Sequence, residues 1–129
     1  MIKESYVSLE TAKLLKEAGF DWSCEKWFEL KDGTPVEWGA DARCNWNVGK
    51  DDYSCPTLSL AAKWLREKFN VHFEIFVNST DGWSYVAYNI CERTWDFIDV
   101  HRDSYEDALE SGITRFLKMI CKNKHTFQQ

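Results

Sequence analysis

Apolar residues recur at helical spacing in three stretches of the chain and at alternate positions in several shorter ones. In the first stretch Leu9, Ala12, Leu15 and Ala18 share a face, with Leu14 beside it. Ser8 is placed to cap the free N–H groups, Val7 to staple against Ala12, and Gly19 to end the helix in a left-handed conformation. The second stretch, "TLSLAAKWLREKFN", opens at Thr57 after Pro56, buries Leu58, Ala61, Ala62, Leu65 and Phe69, and ends at Asn70. The third starts at Ser104, with Asp107 completing a weak capping box. It carries a stripe of Tyr105, Ala108, Leu109, Ile113, Phe116, Leu117 and Ile120. Gly112 interrupts that helix at a cost of about 1 kcal/mol relative to Ala, which predicts a close approach of the helix to a sheet.

Between the helices the period changes to two. "CEKWFELKDGTPVEW" predicts a hairpin turning at Asp32 and Gly33, with Trp27 and Glu29 on one side, Phe28 and Leu30 on the other, and Pro35 at an edge. "VHFEIFVN" and "GWSYVAYNIC" predict two paired strands joined by a turn at Ser79–Gly82. Setting Asn78 opposite Trp83 pairs Val77 with Ser84, Ile75 with Val86, Phe73 with Tyr88 and Val71 with Ile90, an almost wholly apolar face. The reverse face then pairs Phe76 with Tyr85, Glu74 with Ala87 and His72 with Asn89, next to Trp83, and is aromatic enough to need a cover or a partner. "TWDFIDVH" predicts a third antiparallel strand whose register the pattern leaves open: Trp95 and Phe97 face one way, Ile98 and Val100 the other. Helical stripes and a meander with one apolar face predict an α+β protein, a two-layer sandwich of an antiparallel β-meander with helices packed on one face. The length, 129 residues, predicts a single domain spanning 1–129.

One stretch resists both periods. "VEWGADARCNWNVGKDDYSC", residues 36 to 55, reads as loop yet holds Trp38, Trp46, Tyr53, Cys44 and Cys55. At about 20 residues it is longer than a compact domain usually allows, so it is functional, mobile or hides a short strand. Exposed contiguous aromatics are rare in monomers, which favours the segment lying as a cover over the second, aromatic face of that meander or along its rim.

Composition sharpens this. Hydrophobic content is an ordinary 44%, but seven tryptophans are not ordinary, because the indole is useful only where it is packed or stacked. The net charge of −5, with basic residues scattered apart from Lys118, Lys122 and Lys124, argues against nucleic-acid binding, which needs a basic stripe. The opening "MIKESYVSLE" lacks the apolar core of a signal peptide, and no apolar run approaches the roughly 20 residues of a membrane span. The expectation is a cytoplasmic protein. Five cysteines, none in a C-x-x-C pair, read as thiols.

The phrases "SLETAKLLKEAGF", "SLAAKWLREKF", "DGWSYVAYNI" and "SYEDALESGITRFLKMI" resemble uncharacterised small proteins of bacteriophages and prophage-like elements of gut Bacteroidetes. The resemblance covers most of the chain except 31 to 54. It implies an accessory role in a mobile element and brings no catalytic residue with it.

Three kinds of chemistry compete. Asp99, His101 and Asp103 of "DFIDVHRD", with Asp96 nearby, offer carboxylates and an imidazole that suit Zn²⁺ or Mn²⁺ and a hydrolytic water. Acidic residues before a helix N-terminus are also ordinary dipole partners, and no second ligand cluster accompanies them. A Cys–His nucleophile would need His72 or His101 to reach Cys91, which the register does not provide. "NVGKDD" lacks the upstream glycine and the following Ser or Thr of a phosphate loop. The aromatic set remains: Trp38, Trp46, Tyr53, Phe76, Trp83, Tyr85 and Trp95. Trp and Tyr dominate binding hot spots because they give contact area at low entropic cost. The expected function is a non-enzymatic interaction module, taking a protein partner or a second copy of itself, through these rings and the 36 to 55 loop. The alternatives are a small-ligand binder stacking a sugar or base near Asp51 or Asn47, and the metal-dependent hydrolase. No cofactor is expected.

Overall fold

The computed structural model describes residues 4–77 and 82–127; the side chains at 40–42, 95–100 and 123–127 lie outside that description. Its elements in chain order are α1 (Leu9–Ala18), β1 (Cys24–Lys31), β2 (Thr34–Cys44), a 3-10 turn (Trp46–Val48), β3 (Asp52–Ser54), α2 (Leu58–Phe69), β4 (Val71–Val77), β5 (Trp83–Asn89), β6 (Thr94–Arg102) and α3 (Tyr105–Phe127). The protein is α+β, with two antiparallel sheets ordered β2-β1-β3 and β4-β5-β6, and helices packed on them. Two compact units form: Met1–Thr57 with Leu117–Gln129, and Leu58–Phe116. Among the described residues no helix is long and apolar enough to cross a membrane.

In the first unit, α1 is bounded as its sequence dictates. The Ser8 hydroxyl accepts from the Thr11 N–H at 3.3 Å, and Gly19, at φ 101°, donates its N–H to the last carbonyls. Thr11, Ala12 and Leu15 form its buried face, and Val7 is buried beside the cap. The C-terminal part of α3 belongs to the same unit. Leu117 and Cys121 are buried there, the Cys121 thiol lies 3.7 Å from the Leu14 carbonyl, and Lys118 pairs with Glu10 at 3.0 Å on the surface. β1 and β2 turn at Asp32 and Gly33, both left-handed at φ 51° and 79°, so that Lys31 faces Thr34. That conformation is the tight hairpin turn that suits the twist of paired strands. Pro35 does lie on an edge strand, β2.

The 36 to 55 segment is not a loop in the main. β2 runs on to Cys44, and β3 pairs with the other side of β1. The strand was hidden because β2 is an edge strand whose described residues are mostly exposed, so it has no buried face to impose alternation.

The second unit is a two-layer sandwich of the β4-β5-β6 meander under α2 and the first half of α3. α2 buries Leu58, Ala61, Trp64 and Leu65, and Asn70, at φ 57°, ends it. Trp64, outside the predicted stripe, is only 2% exposed; it meets Phe69 edge-on at 5.4 Å, and Phe69 meets Phe116 at 5.8 Å. Ser104 caps α3 by accepting from the Asp107 N–H at 3.1 Å. Ala108, Leu109 and Ile113 are buried as expected, whereas Tyr105 is exposed and stands edge-on to Trp83. A Cβ on Gly112 would lie 3.0 Å from ring carbons of Phe73 and Tyr85, so the glycine permits the close approach its position predicts.

The register of β4 with β5 corrects the sequence-based one by a single residue. Val77 faces Trp83, Ile75 faces Tyr85, Phe73 faces Ala87 and Val71 faces Asn89, while Glu74 faces Val86 and His72 faces Tyr88. Ile75 and Val86 therefore lie on opposite faces. A one-residue slip exchanges the faces of a whole strand. The expected turn at Ser79–Gly82 lies outside the described residues apart from Gly82. The slip is decided by size: the notch at Gly112 accepts two large rings, Phe73 and Tyr85, on the helix side.

Candidate functional site

The hairpin of the first unit sets up the most distinctive surface. Counting back from the Lys31–Thr34 pair, Trp27 falls opposite Trp38. Cross-strand partners project on the same face, and Glu29 and Lys31 follow Trp27 on that face at alternate positions. The two indoles stack with centroids 6.3 Å apart and planes 22° from parallel. The Trp38 Nε1–H donates to Glu29 Oε1 at 3.1 Å, the Lys31 ammonium sits 5.2 Å from the Trp38 ring, and Lys31 and Glu29 are 3.6 Å apart. Trp38 remains 41% exposed. Its orientation is thus fixed while much of its surface faces water.

Trp46 completes the cluster from outside the sheet. Its ring lies on Trp27 with centroids 3.8 Å apart and planes at 18°. Its Nε1–H donates to the Cys24 carbonyl at 2.8 Å, and its backbone N–H donates to the Ser54 hydroxyl at 2.9 Å. Asn47 holds the same turn from both ends of its amide. Its Oδ1 accepts from the Ser54 N–H at 2.8 Å and its Nδ2 donates to the Phe20 carbonyl at 3.0 Å. The Cys24 thiol lies beneath, donating to the Lys26 carbonyl at 3.2 Å. Burial pushes that thiol up from its ordinary value of 9.0, outweighing the hydrogen bond to Ser54. The Trp46 end of the 36 to 55 segment is therefore a cover, but of its own sheet at Trp27 rather than of the reverse face of the β4–β5 ribbon expected for it, and it is bolted there by side-chain and main-chain hydrogen bonds.

A lysine secures the other end of this cover. The Lys16 ammonium donates to the carbonyls of Gly49, of Lys50 at 3.3 Å and of Asp52 at 2.9 Å, and lies 4.7 Å from the Tyr53 ring centre. Charge-assisted hydrogen bonds are the stronger kind. Lys16→Met keeps the stem and removes the donors, leaving carbonyls of the turn without them. It is expected to lower unfolding free energy by about 2 kcal/mol in urea titrations, a net figure for lost bonds partly recovered by water.

The seven aromatic candidates do not form one surface. Trp38 and Trp46 share the Trp27 cluster. Tyr53 pairs with Phe28, one residue out of step with Trp27, and so projects from the reverse face, toward Lys13 and Lys16. Phe76, Trp83 and Tyr85 belong to the second unit. The aromatic sheet face expected there is not built, because the one-residue slip sends Tyr85 to the helix side, where it is 3% exposed. Trp83 lies on the same side as Tyr85, against Tyr105 at 5.9 Å, and Phe76 lies on the other, opposite Ser84. The side chain of Trp95 lies outside the described residues. Sequence reasoning missed Trp27, Glu29 and Lys31 as members of the site. The turn at Asp32 and Gly33 carried the signal, since it fixes which residues face Trp38.

The hydrolase constellation gains nothing from the geometry. The side chains of Asp96 and Asp99 lie outside the described residues, and among those described no three His, Cys, Asp or Glu side chains gather as metal ligands would. His72 stands opposite Tyr88 rather than Asn89, with its Nε2 3.0 Å from Glu74. All five cysteines are free thiols. Comparison of the chain with protein-family models, with curated proteins and with solved structures gave no match.

Proposed function

We propose that the protein is a non-enzymatic binding module whose contact surface is the tryptophan face of the first sheet, with Trp38 as its anchor and a second copy of the chain as its partner. The observation that carries this reading is an indole that is 41% exposed yet held by a stacked neighbour, a carboxylate and an ammonium. A ring fixed before binding loses little rotamer entropy on contact, which is what makes tryptophan an effective hot spot. Strand addition at the β2 edge is disfavoured by Pro35 and by the irregularity near its far end, so side chains rather than main chain supply the contact. Glu29 and Lys31 flank the ring with opposite charges, so a two-fold arrangement lets each meet its opposite on the other copy. A cytoplasmic, accessory role in a mobile element, implied by the sequence resemblance, belongs to the same proposal.

A stacked sugar or base is less well supported. Among the described residues the most nearly parallel rings, Trp27 and Trp46, touch each other and leave no space between them. Asn47, one of the two polar groups expected to greet a ligand, is occupied by Ser54 and Phe20.

Sedimentation across a concentration series tests the proposal. The wild type is expected to self-associate, and Trp38→Ala to raise the Kd about ten-fold or more, the effect of losing roughly 1.4 kcal/mol of contact. Circular dichroism of Trp38→Ala is expected to match the wild type. A strict monomer rejects the second copy as partner, and a dimer indifferent to Trp38→Ala rejects this surface.

A further inference from the structure

Cys24 and Cys44 are direct partners across the β1–β2 hairpin, and we infer that they form a reversible cross-strand disulfide, a modification site responsive to low-molecular-weight disulfides. Directly opposed residues of antiparallel strands have Cα atoms about 4.5–5.5 Å apart, inside the roughly 4.4–6.8 Å that a disulfide spans. Their Cβ atoms project from the same face of the hairpin. Each thiol at present donates to a main-chain carbonyl, Cys24 to Lys26 at 3.2 Å and Cys44 to Asn45 at 3.6 Å. Cys24 also bonds to the Ser54 side chain and the Cys55 backbone, but thiols are weak hydrogen-bonding partners, so turning it toward Cys44 costs little for each bond given up.

The two cysteines divide the chemistry by exposure. Cys44 is exposed and Cys24 is buried. The Cys44 thiolate attacks one sulfur of oxidised glutathione, its S–S bond breaks, and one glutathione leaves as thiolate. Cys24, the slower nucleophile because burial disfavours its thiolate, then attacks the Cys44 sulfur, and the second glutathione leaves as thiolate and takes up the proton that Cys24 gives up. Two protein thiols are oxidised and one small disulfide is reduced to two thiols. The hairpin also has something for the bond to hold. Between the Cys24–Cys44 pair and the Lys26–Gly39 pair the register shifts, and the ion pair there, Arg43 with Glu25 at 3.6 Å, is exposed on both sides. Exposed pairs of this kind contribute little. The link would fasten the strand end whose carbonyl, at Cys24, receives the Trp46 indole N–H.

The test is incubation of the native protein with oxidised glutathione, followed by non-reducing peptide mapping. The expected product is a peptide pair joining Cys24 to Cys44, with the mass of the chain lowered by two hydrogens per link. Thiols that react quickly with a soluble reagent are expected to fall from two, Cys44 and Cys91, to one at most. Cys44→Ser, at an exposed position, is expected to abolish the link, and Cys91→Ser to leave it intact. Glutathione that stays on Cys44 without displacement overturns the inference. So does a link from Cys24 to Cys55, its buried neighbour, or a link between chains.

Discussion

Gly112→Val is expected to cost the protein about 3 kcal/mol or more, the upper part of the range for forcing atoms into a filled core. The reason is that two rings converge on this position. Even a lone Cβ would stand 3.0 Å from Phe73 Cδ1 and Tyr85 Cδ2 and 3.2 Å from Tyr85 Cγ. Tyr85 is 3% and Phe73 8% exposed, on adjacent strands, so neither can withdraw without moving the sheet. Gly112→Ala sets two effects against each other. Helix propensity favours alanine by about 1 kcal/mol. The ring contacts oppose it by about 1–3 kcal/mol. Packing is expected to win, with a net loss of about 1 kcal/mol. Urea unfolding of both variants checks this, and an alanine variant more stable than wild type would show that the rings yield.

The second large effect is expected at Trp46. Trp46→Ala removes a face-to-face stack on Trp27 and the indole bond to the Cys24 carbonyl, and leaves Trp27 open to water. The ring is only half-buried, so a loss of about 3 kcal/mol, the low end for a core tryptophan, is expected. Trp46→Phe separates the contributions. It keeps a stacked ring and gives up the indole donor, for about 1 kcal/mol from that bond. If the alanine and phenylalanine variants were equally unstable, the hydrogen bond rather than the stack would be holding the cover down.

Much of this architecture can be read in the sequence, for local reasons. Ser8, Gly19, Asn70 and Ser104 mark helix ends because the unpaired groups at a terminus need a side-chain oxygen or a left-handed residue. Asp32 and Gly33 mark the hairpin because its turn demands two positive φ angles. Gly112 announced close packing because nothing else justifies glycine in mid-helix. The register of β4 with β5 was not legible. Along β5 the alternate sets Trp83, Tyr85, Ala87 and Ser84, Val86, Tyr88 are each a mixture of large and small, so hydrophobicity does not choose between faces. The choice is made by Gly112, more than twenty residues away in sequence. Reading β5 on the wrong face moved the aromatic surface to the second unit, whereas the exposed indole stack lies in the first.

The same limit explains the 36 to 55 segment. An exposed edge strand leaves no periodic trace, and a cover built from Asn45, Asn47 and Ser54 uses residues that also make ordinary turns. What could be foreseen was only that tryptophans in such a stretch need a surface to lie on. Trp46 has one. Trp38 shares it in part and shows the rest to solvent.

Fluorine NMR of the protein labelled with 5-fluorotryptophan, read with a paramagnetic agent confined to solvent, examines this division directly. At low protein concentration the Trp38 resonance is predicted to broaden strongly while those of Trp27 and Trp46 broaden much less, and raising the concentration is predicted to shield Trp38 selectively. Broadening of Trp46 to the same degree as Trp38, or a Trp38 signal equally exposed at every concentration, would contradict it.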